Sequence, residues 1–111
     1  MNENEEKFFE YYSLVCRSIN TPLKLRIIEA IQKDRLNVSE IQEKIGVSMS
    51  NLSNNLNSLY KIGILGRKKE GNYIYYYLEH YELLDVIKNM KEIVKLITLK
   101  RNNLLNFNKI K

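Results

Sequence analysis

Residues 50–58 read SNLSNNLNS. Leu52 and Leu56, with Leu59 just beyond, recur at spacings of four and three, which is one face of a helix. The opposite face then carries Ser50, Asn51, Asn54, Asn55 and Ser58. None of these is charged, although the chain carries a formal net charge of +5. A helix face that merely meets solvent usually holds Glu and Lys pairs at i, i+4. Ser and Asn are mediocre helix formers, so their concentration here asks for a reason other than helix stability.

The flanks turn this stretch into a motif. Ser48 can cap the helix, Met49 extends its apolar stripe, Tyr60 lies beside that stripe, and Gly63 supplies a stop. Upstream, Val38-Ser39 opens a short helix in which Ser39 and Gln42 fit a capping box. Ile41 and Ile45 line its inner face and Gly46 ends it. Two helices separated by Gly46-Val47 make a helix-turn-helix, with the second placed for a major groove. Further upstream, Phe8, Phe9, Tyr12, Val15, Cys16 and Ile19 mark a first helix over residues 5–19, with Cys16 on the apolar face. Thr21-Pro22 then opens a second, with Leu25, Ile28 and Ile31, running to about Asp34. Downstream the period changes to that of strands. Ile64-Leu65 begins one and Tyr73–Leu78 makes another. Arg67-Lys68-Lys69-Glu70-Gly71-Asn72 forms a basic hairpin tip between them. A long helix follows from about His80 to at least Leu99. Its seam of Leu83, Ile87, Met90, Val94 and Ile97 is spaced 4, 3, 4, 3.

The fold class expected is therefore mostly α: a winged helix-turn-helix with four helices, a β-hairpin wing and a long C-terminal helix. The 111 residues suit one domain over 1–111. Apolar residues make up 44% and charged residues 28%, an ordinary soluble composition. No apolar run reaches the roughly 18 residues of a membrane span. The acidic start MNENEEKFFE reads as neither secretory signal nor transit peptide. Cys16 is the single cysteine, so an internal disulfide is impossible and a cytoplasmic location is expected. Cations gather in residues 61–72 and in residues 88–111, the latter holding Lys88, Lys91, Lys95, Lys100, Arg101, Lys109 and Lys111. Such surfaces attract nucleic acid, anionic membranes or acidic proteins, or simply solubilise the chain.

Within a helix-turn-helix, the amide face acquires a meaning. Asn can pair with adenine through two hydrogen bonds, and Ser can bond to several base edges. The expected base-reading set is Ser48, Ser50, Asn51, Ser53, Asn54, Asn55 and Ser58. Lys61, Arg67, Lys68 and Lys69, with Asn72 and Tyr73, are expected to hold the sugar–phosphate backbone or enter the minor groove. Tyr75, Tyr76 and Tyr77 read as packing residues. The last helix has more apolar seam than one small domain covers, and the first carries surplus aromatic surface. A homodimer through residues 1–19 and 80–105 follows, using Phe8, Tyr12, Leu83, Ile87, Met90, Val94 and Ile97. Two-fold symmetry sets the recognition helices about 34 Å apart, so the operator on double-stranded DNA should be an inverted repeat.

Residues 20–78 resemble the ArsR/SmtB winged-helix repressors. NTPLKLRII matches that family's second-helix opening, and VSMSNLSNNLNSLYKIGIL its recognition motif. There the family's Ser-x-His-Leu is similar to Ser53-Asn54-Asn55-Leu56, and RKKEGNYIYYYL resembles its wing. The resemblance implies a homodimeric bacterial repressor released from DNA by an inducer, whose identity the residues do not reveal. It also implies two metal sites that this chain departs from. The Cys-x-Cys positions hold Asn37 and Ser39. Of the two ligand pairs on the last helix, one is His80 and Glu82 and the other falls on Ile93 and Leu96. Half a donor set is too little for a closed tetrahedral centre, so no metal and no cofactor are expected, and His80 reads as a capping or surface residue. Cys16 lacks a resolving partner in its chain and reads as buried packing, with a pair across two subunits as the alternative. One His, one Cys, two Asp and no Gly-rich phosphate loop leave little for a catalytic constellation, so no enzyme is expected. The competing readings are a winged-helix module that binds a protein and not DNA, and a membrane-surface role for the basic last helix.

Overall fold

The computed structural model describes residues 1–101; the expected contributions of residues 102–105 to a dimer seam, and of Lys109 and Lys111 to the basic surface, lie outside the described residues. Two compact units make up the chain, 1–80 and 81 onward. In the first, α1 (Glu3–Ile19), α2 (Pro22–Ile31), β1 (Leu36–Asn37), α3 (Val38–Ile45), α4 (Met49–Ile62), β2 (Leu65–Glu70) and β3 (Tyr73–Leu78) follow one another. The second is built on α5 (Glu82–Lys100).

The core lies between α2, α3, α4 and the sheet. Ile27, Ile28, Ile31, Ile41, Leu52, Leu56, Leu59 and Leu65 are fully buried, with Tyr76 and Leu78 closing it from β3. Each helix in this core starts at a side-chain cap. Thr21 Oγ1 accepts from the Lys24 amide at 3.2 Å with Pro22 in the first turn. Ser48 Oγ accepts from the Asn51 amide at 3.3 Å. At α3 the expected Ser39–Gln42 box is replaced by one that begins two residues earlier. Asn37 Oδ1 accepts from the Glu40 amide, and Glu40 accepts from the Asn37 amide, both at 2.9 Å. Asn37 ends β1 in extended backbone, which is the geometry a cap needs. Gln42 is thereby freed, and its Nε2 donates to the Val47 carbonyl at 3.0 Å across the turn.

β1 is a two-residue strand that the apolar spacing does not announce. It pairs antiparallel with β3, Leu36 opposite Tyr76 and Asn37 opposite Tyr75, giving the order β1-β3-β2. β2 and β3 pair from Leu65–Leu78 to Glu70–Tyr73. Gly71 (φ +61) and Asn72 alone form the turn. A positive φ at the first central position only is the type II′ pattern, whose twist suits a hairpin. The expected basic tip is thus corrected: Arg67, Lys68 and Lys69 stand along a strand, and the tip is Gly71-Asn72. Strand alternation therefore sends the cations to two different faces.

Further expectations change. Helix α2 stops at Ile31, not Asp34, because Gln32 adopts φ +50, ψ −119 and ends the hydrogen-bonded run. In α2, Ile27 joins Ile28 and Ile31 inside while Leu25 is only half-buried. Met49 is 40% exposed, since it precedes the first leucine that reaches the core. No residue of α1 is buried. Phe8, Phe9, Tyr11 and Tyr12 are all exposed, and Phe9 and Tyr12 stack with centroids 6.2 Å apart. Cys16, one turn on from Tyr12, is exposed with them and is not packed in the core. Only Val15, Ser18 and Ile19 of α1 are half-buried.

α5 also contains no buried residue. Leu83 and Ile87 are half-buried, while Met90, Val94 and Ile97 are exposed. The helix starts at Glu82 without a side-chain cap, so His80 is an exposed residue ahead of it and caps nothing.

Candidate nucleic-acid interface

The leucine row decides what α4 presents. Leu52, Leu56 and Leu59 have no exposed surface, so the face opposite them is fixed outward. Burying each of these side chains contributes about 1.5–3 kcal/mol, far more than any one exposed amide could offset by turning inward. The helix-turn-helix is further pinned by Arg26, whose guanidinium donates to the Ile45 carbonyl at 2.8 Å, closing the last turn of α3 onto α2. Gly46, at φ +77, makes the left-handed turn between the two helices.

The outward face is not uniform. Ser48, Ser50, Asn51, Ser53 and Asn54 are exposed. Asn55 is half-buried, and its Nδ2 donates to Asn51 Oδ1 at 3.0 Å and to the Asn51 carbonyl at 2.8 Å. Ser58 is half-buried and accepts from Lys24 Nζ at 3.1 Å, so it turns toward α2 and not into the open row. Beyond Asn54 an open groove of about 470 Å³ runs between α1 and α4, with Leu14 and Ser18 on one side and Asn57 and Lys61 on the other. The unobstructed part is therefore the first half of α4. Asn54, among the described residues, makes no hydrogen bond that would have to break before it met a base.

The wing stands beside this helix. Arg67 lies opposite Tyr76, and Lys69 opposite Ile74; Lys68 lies opposite Tyr75, and Glu70 opposite Tyr73. Cross-strand partners share a face. Arg67 and Lys69 thus share the face of buried Tyr76, and Lys68 and Glu70 the other. Arg67 Cζ sits 3.9 Å from the centroid of the Tyr60 ring. Lys61, Lys68, Lys69, Asn72 and Tyr73 are exposed, and the Tyr73 and Tyr75 rings are 6.5 Å apart. Gly66 faces Tyr77 and Glu79 so closely that a methyl group there would collide with both.

Glu70 is held by Arg35, which donates to its carboxylate. That hydrogen bond, followed by the charge of the guanidinium, holds the Glu70 carboxyl below the usual carboxylate range, and the same pair raises Arg35. Arg35 also lies over Tyr75, 5.8 Å from its centroid. The sequence does not single out Arg35, and it marks Tyr60 only as a neighbour of the apolar stripe. Arg35 meets Glu70 across 35 positions, a separation with no local spacing signal.

Of the metal positions that the family resemblance implies, His80 and Glu82 carry donors and the others do not. Asn37 Oδ1 is committed to capping α3, Ile93 and Leu96 offer hydrocarbon, and among the described residues no three His, Cys, Asp or Glu side chains gather as ligands would. No helix of the described residues is long and apolar enough to cross a membrane.

Residues 20–65 match a family described as a helix-turn-helix domain. The chain is similar to the cadmium resistance transcriptional regulatory protein CadC of Listeria innocua, 33% identical over 75 residues, covering 64% of this chain and 63% of that protein. The chain thus spans less than two thirds of that relative's length. Its fold is that of a homodimeric winged helix-turn-helix DNA-binding domain from Mycobacterium bovis (TM-score 0.74, 16% identity, covering 86% of this chain and 88% of that one). It is also similar to the transcriptional regulator HlyU of Vibrio vulnificus (TM-score 0.66, 26% identity, 84% and 98%).

Proposed function

Since the chain belongs to the ArsR-like winged-helix regulators, we propose that it is a DNA-binding transcriptional repressor that acts as a homodimer, in the cytoplasm, on an inverted-repeat operator. One observation carries this reading: Ser50, Asn51, Ser53 and Asn54 form an exposed, uncharged row at the start of a helix whose other side is locked by three buried leucines. Short neutral side chains let that helix enter a major groove deeply, with Asn54 as the best-placed partner for an adenine. Charge attraction comes from the exposed Lys61, Lys68 and Lys69.

The dimer is proposed to form through α1 and α5. The exposed ring cluster of Phe8, Phe9 and Tyr12, and the exposed Met90, Val94 and Ile97, are apolar surfaces of a kind that monomers rarely leave uncovered. Pairing the whole of residues 1–111 as one domain, with the terminal helices as its dimer seam, gives each recognition helix a two-fold mate. The regulator is proposed to work without the family's metal, since only His80 and Glu82 could ligate there, while Asn37, Ser39, Ile93 and Leu96 supply amide, hydroxyl and hydrocarbon.

Selection of operators from random duplex DNA tests the reading. The expected product is an inverted repeat with half-site centres about one helical turn apart. Purified dimer that enriches no sequence at modest salt would refute it and favour a protein-binding module instead.

A further inference from the structure

Between α4 and β2 lie only Gly63 and Ile64. Gly63 takes φ +92, a left-handed joint that glycine enters at little cost. The Ile64 amide closes the joint on the Leu59 carbonyl at 3.0 Å, and buried Leu65 seats the first residue of β2; farther along the strand the wing is steadied by side chains. One pair spans the joint. Tyr60 in the last turn of α4 carries Arg67 of β2 over its ring, with Cζ 3.9 Å from the centroid. Arginine prefers aromatic faces both for charge and for its planar shape. The ring lies seven residues after Ser53, two helical turns along the same side of α4. Lys68 is directed to the opposite face of the strand, beside Tyr75 and away from this contact.

We propose that Arg67 is a positioning residue and not a DNA contact: stacked on Tyr60, it sets the wing against the end of the recognition helix, and leaves Lys68 to meet the phosphates. This rests on the DNA-binding reading above. It divides the three consecutive wing cations, which the sequence presents as equals, into a strut and a ligand. The far end of the same strand is braced separately, by Arg35 on Glu70, so the wing is held at its base and near its tip.

Two measurements decide it. Operator affinity is measured across salt concentrations for Arg67→Gln, Tyr60→Leu, the double variant, Tyr60→Phe and Lys68→Gln. Arg67→Gln and Tyr60→Leu are expected to weaken binding by similar factors, roughly two- to five-fold, with the double variant no worse than either. Neither changes the slope of log affinity on log salt, Tyr60→Phe retains wild-type affinity, and Lys68→Gln lowers the slope by about 0.9. Loss of a similar slope increment in Arg67→Gln, with Tyr60→Leu neutral, would make Arg67 a phosphate ligand and overturn the proposal. Urea denaturation of the same variants without DNA reads the stack itself. Non-additivity of roughly two- to five-fold in the unfolding constant is expected, and strict additivity would also overturn it. A wild-type protein lacking any sequence preference would instead mark failure of the DNA-binding reading, with the urea cycle still deciding whether the brace exists.

Discussion

Asn54→Ala and Asn55→Ala look equivalent in the sequence, and the structure separates them. Asn54 is exposed and its side chain makes no hydrogen bond to another described residue, so its amide can be offered whole to a base. A two-bond contact to adenine discriminates by about 1–3 kcal/mol, which at 1.36 kcal/mol per tenfold is roughly 5- to 150-fold in affinity at one base pair. Asn55 already donates to Asn51 at 3.0 and 2.8 Å. Reaching a base would cost it a bond worth about 1 kcal/mol, so its removal should change preference by at most a few-fold. Neither change threatens the fold, because Ala is a better helix former than Asn by several tenths of a kcal/mol. The assay is competition binding at fixed salt, pitting the selected operator against duplexes altered one base pair at a time. Asn54→Ala should flatten the preference at one position per half-site and leave the others intact. Uniform weakening on every duplex, or a larger effect from Asn55→Ala, would show that the geometry of the amide row has been misread.

Gly66→Ala should destabilise the protein by about 1–3 kcal/mol. The new methyl meets the Tyr77 ring and the Glu79 carboxylate, and only the latter can swing away; urea denaturation measures the loss. Gln32→Gly should stabilise by about 1 kcal/mol, because Gln32 holds φ +50, ψ −119 outside the range that side chains favour; a lower midpoint would contradict that. The Glu70 carboxyl should titrate below the same group in an Arg35→Gln variant, as followed by its side-chain carbon resonance. Since its folded value is depressed, the pair's contribution is present at neutral pH and disappears as pH falls through that lowered value; identical midpoints in the two proteins would rule out the bond.

The helices were legible because their apolar residues recur at helical spacing and their ends carry strong punctuation: Thr21-Pro22, Gly46, Ser48 and Gly63. The hairpin was legible from Gly71-Asn72 and the tyrosine run. β1 was not, since two residues have no period and become a strand only by pairing with Tyr75 and Tyr76. The α3 box was misplaced by two positions because Ser39–Gln42 and Asn37–Glu40 both satisfy the pattern, and the extended backbone leaving β1 selects Asn37. The aromatic row of α1 looks like a core face in the sequence, whereas the row of Phe8, Tyr12 and Cys16 stays exposed in the chain. Membership of the amide row was legible from the leucine spacing. Its internal order was not: Lys24 on Ser58 and Asn55 on Asn51 are contacts of side-chain reach, and the pairing of Arg67 with Tyr60 depends on the turn at Gly63.

The central claim is that the first half of α4 reads bases. A titration of the ¹⁵N-labelled protein with its selected duplex, followed through the side-chain amide resonances of Asn51 and Asn54, tests it most directly. Large shifts at Asn54, absent with a scrambled duplex of equal length, are expected. Shifts confined to the wing and to α5, or the same at Asn54 with either duplex, would contradict it.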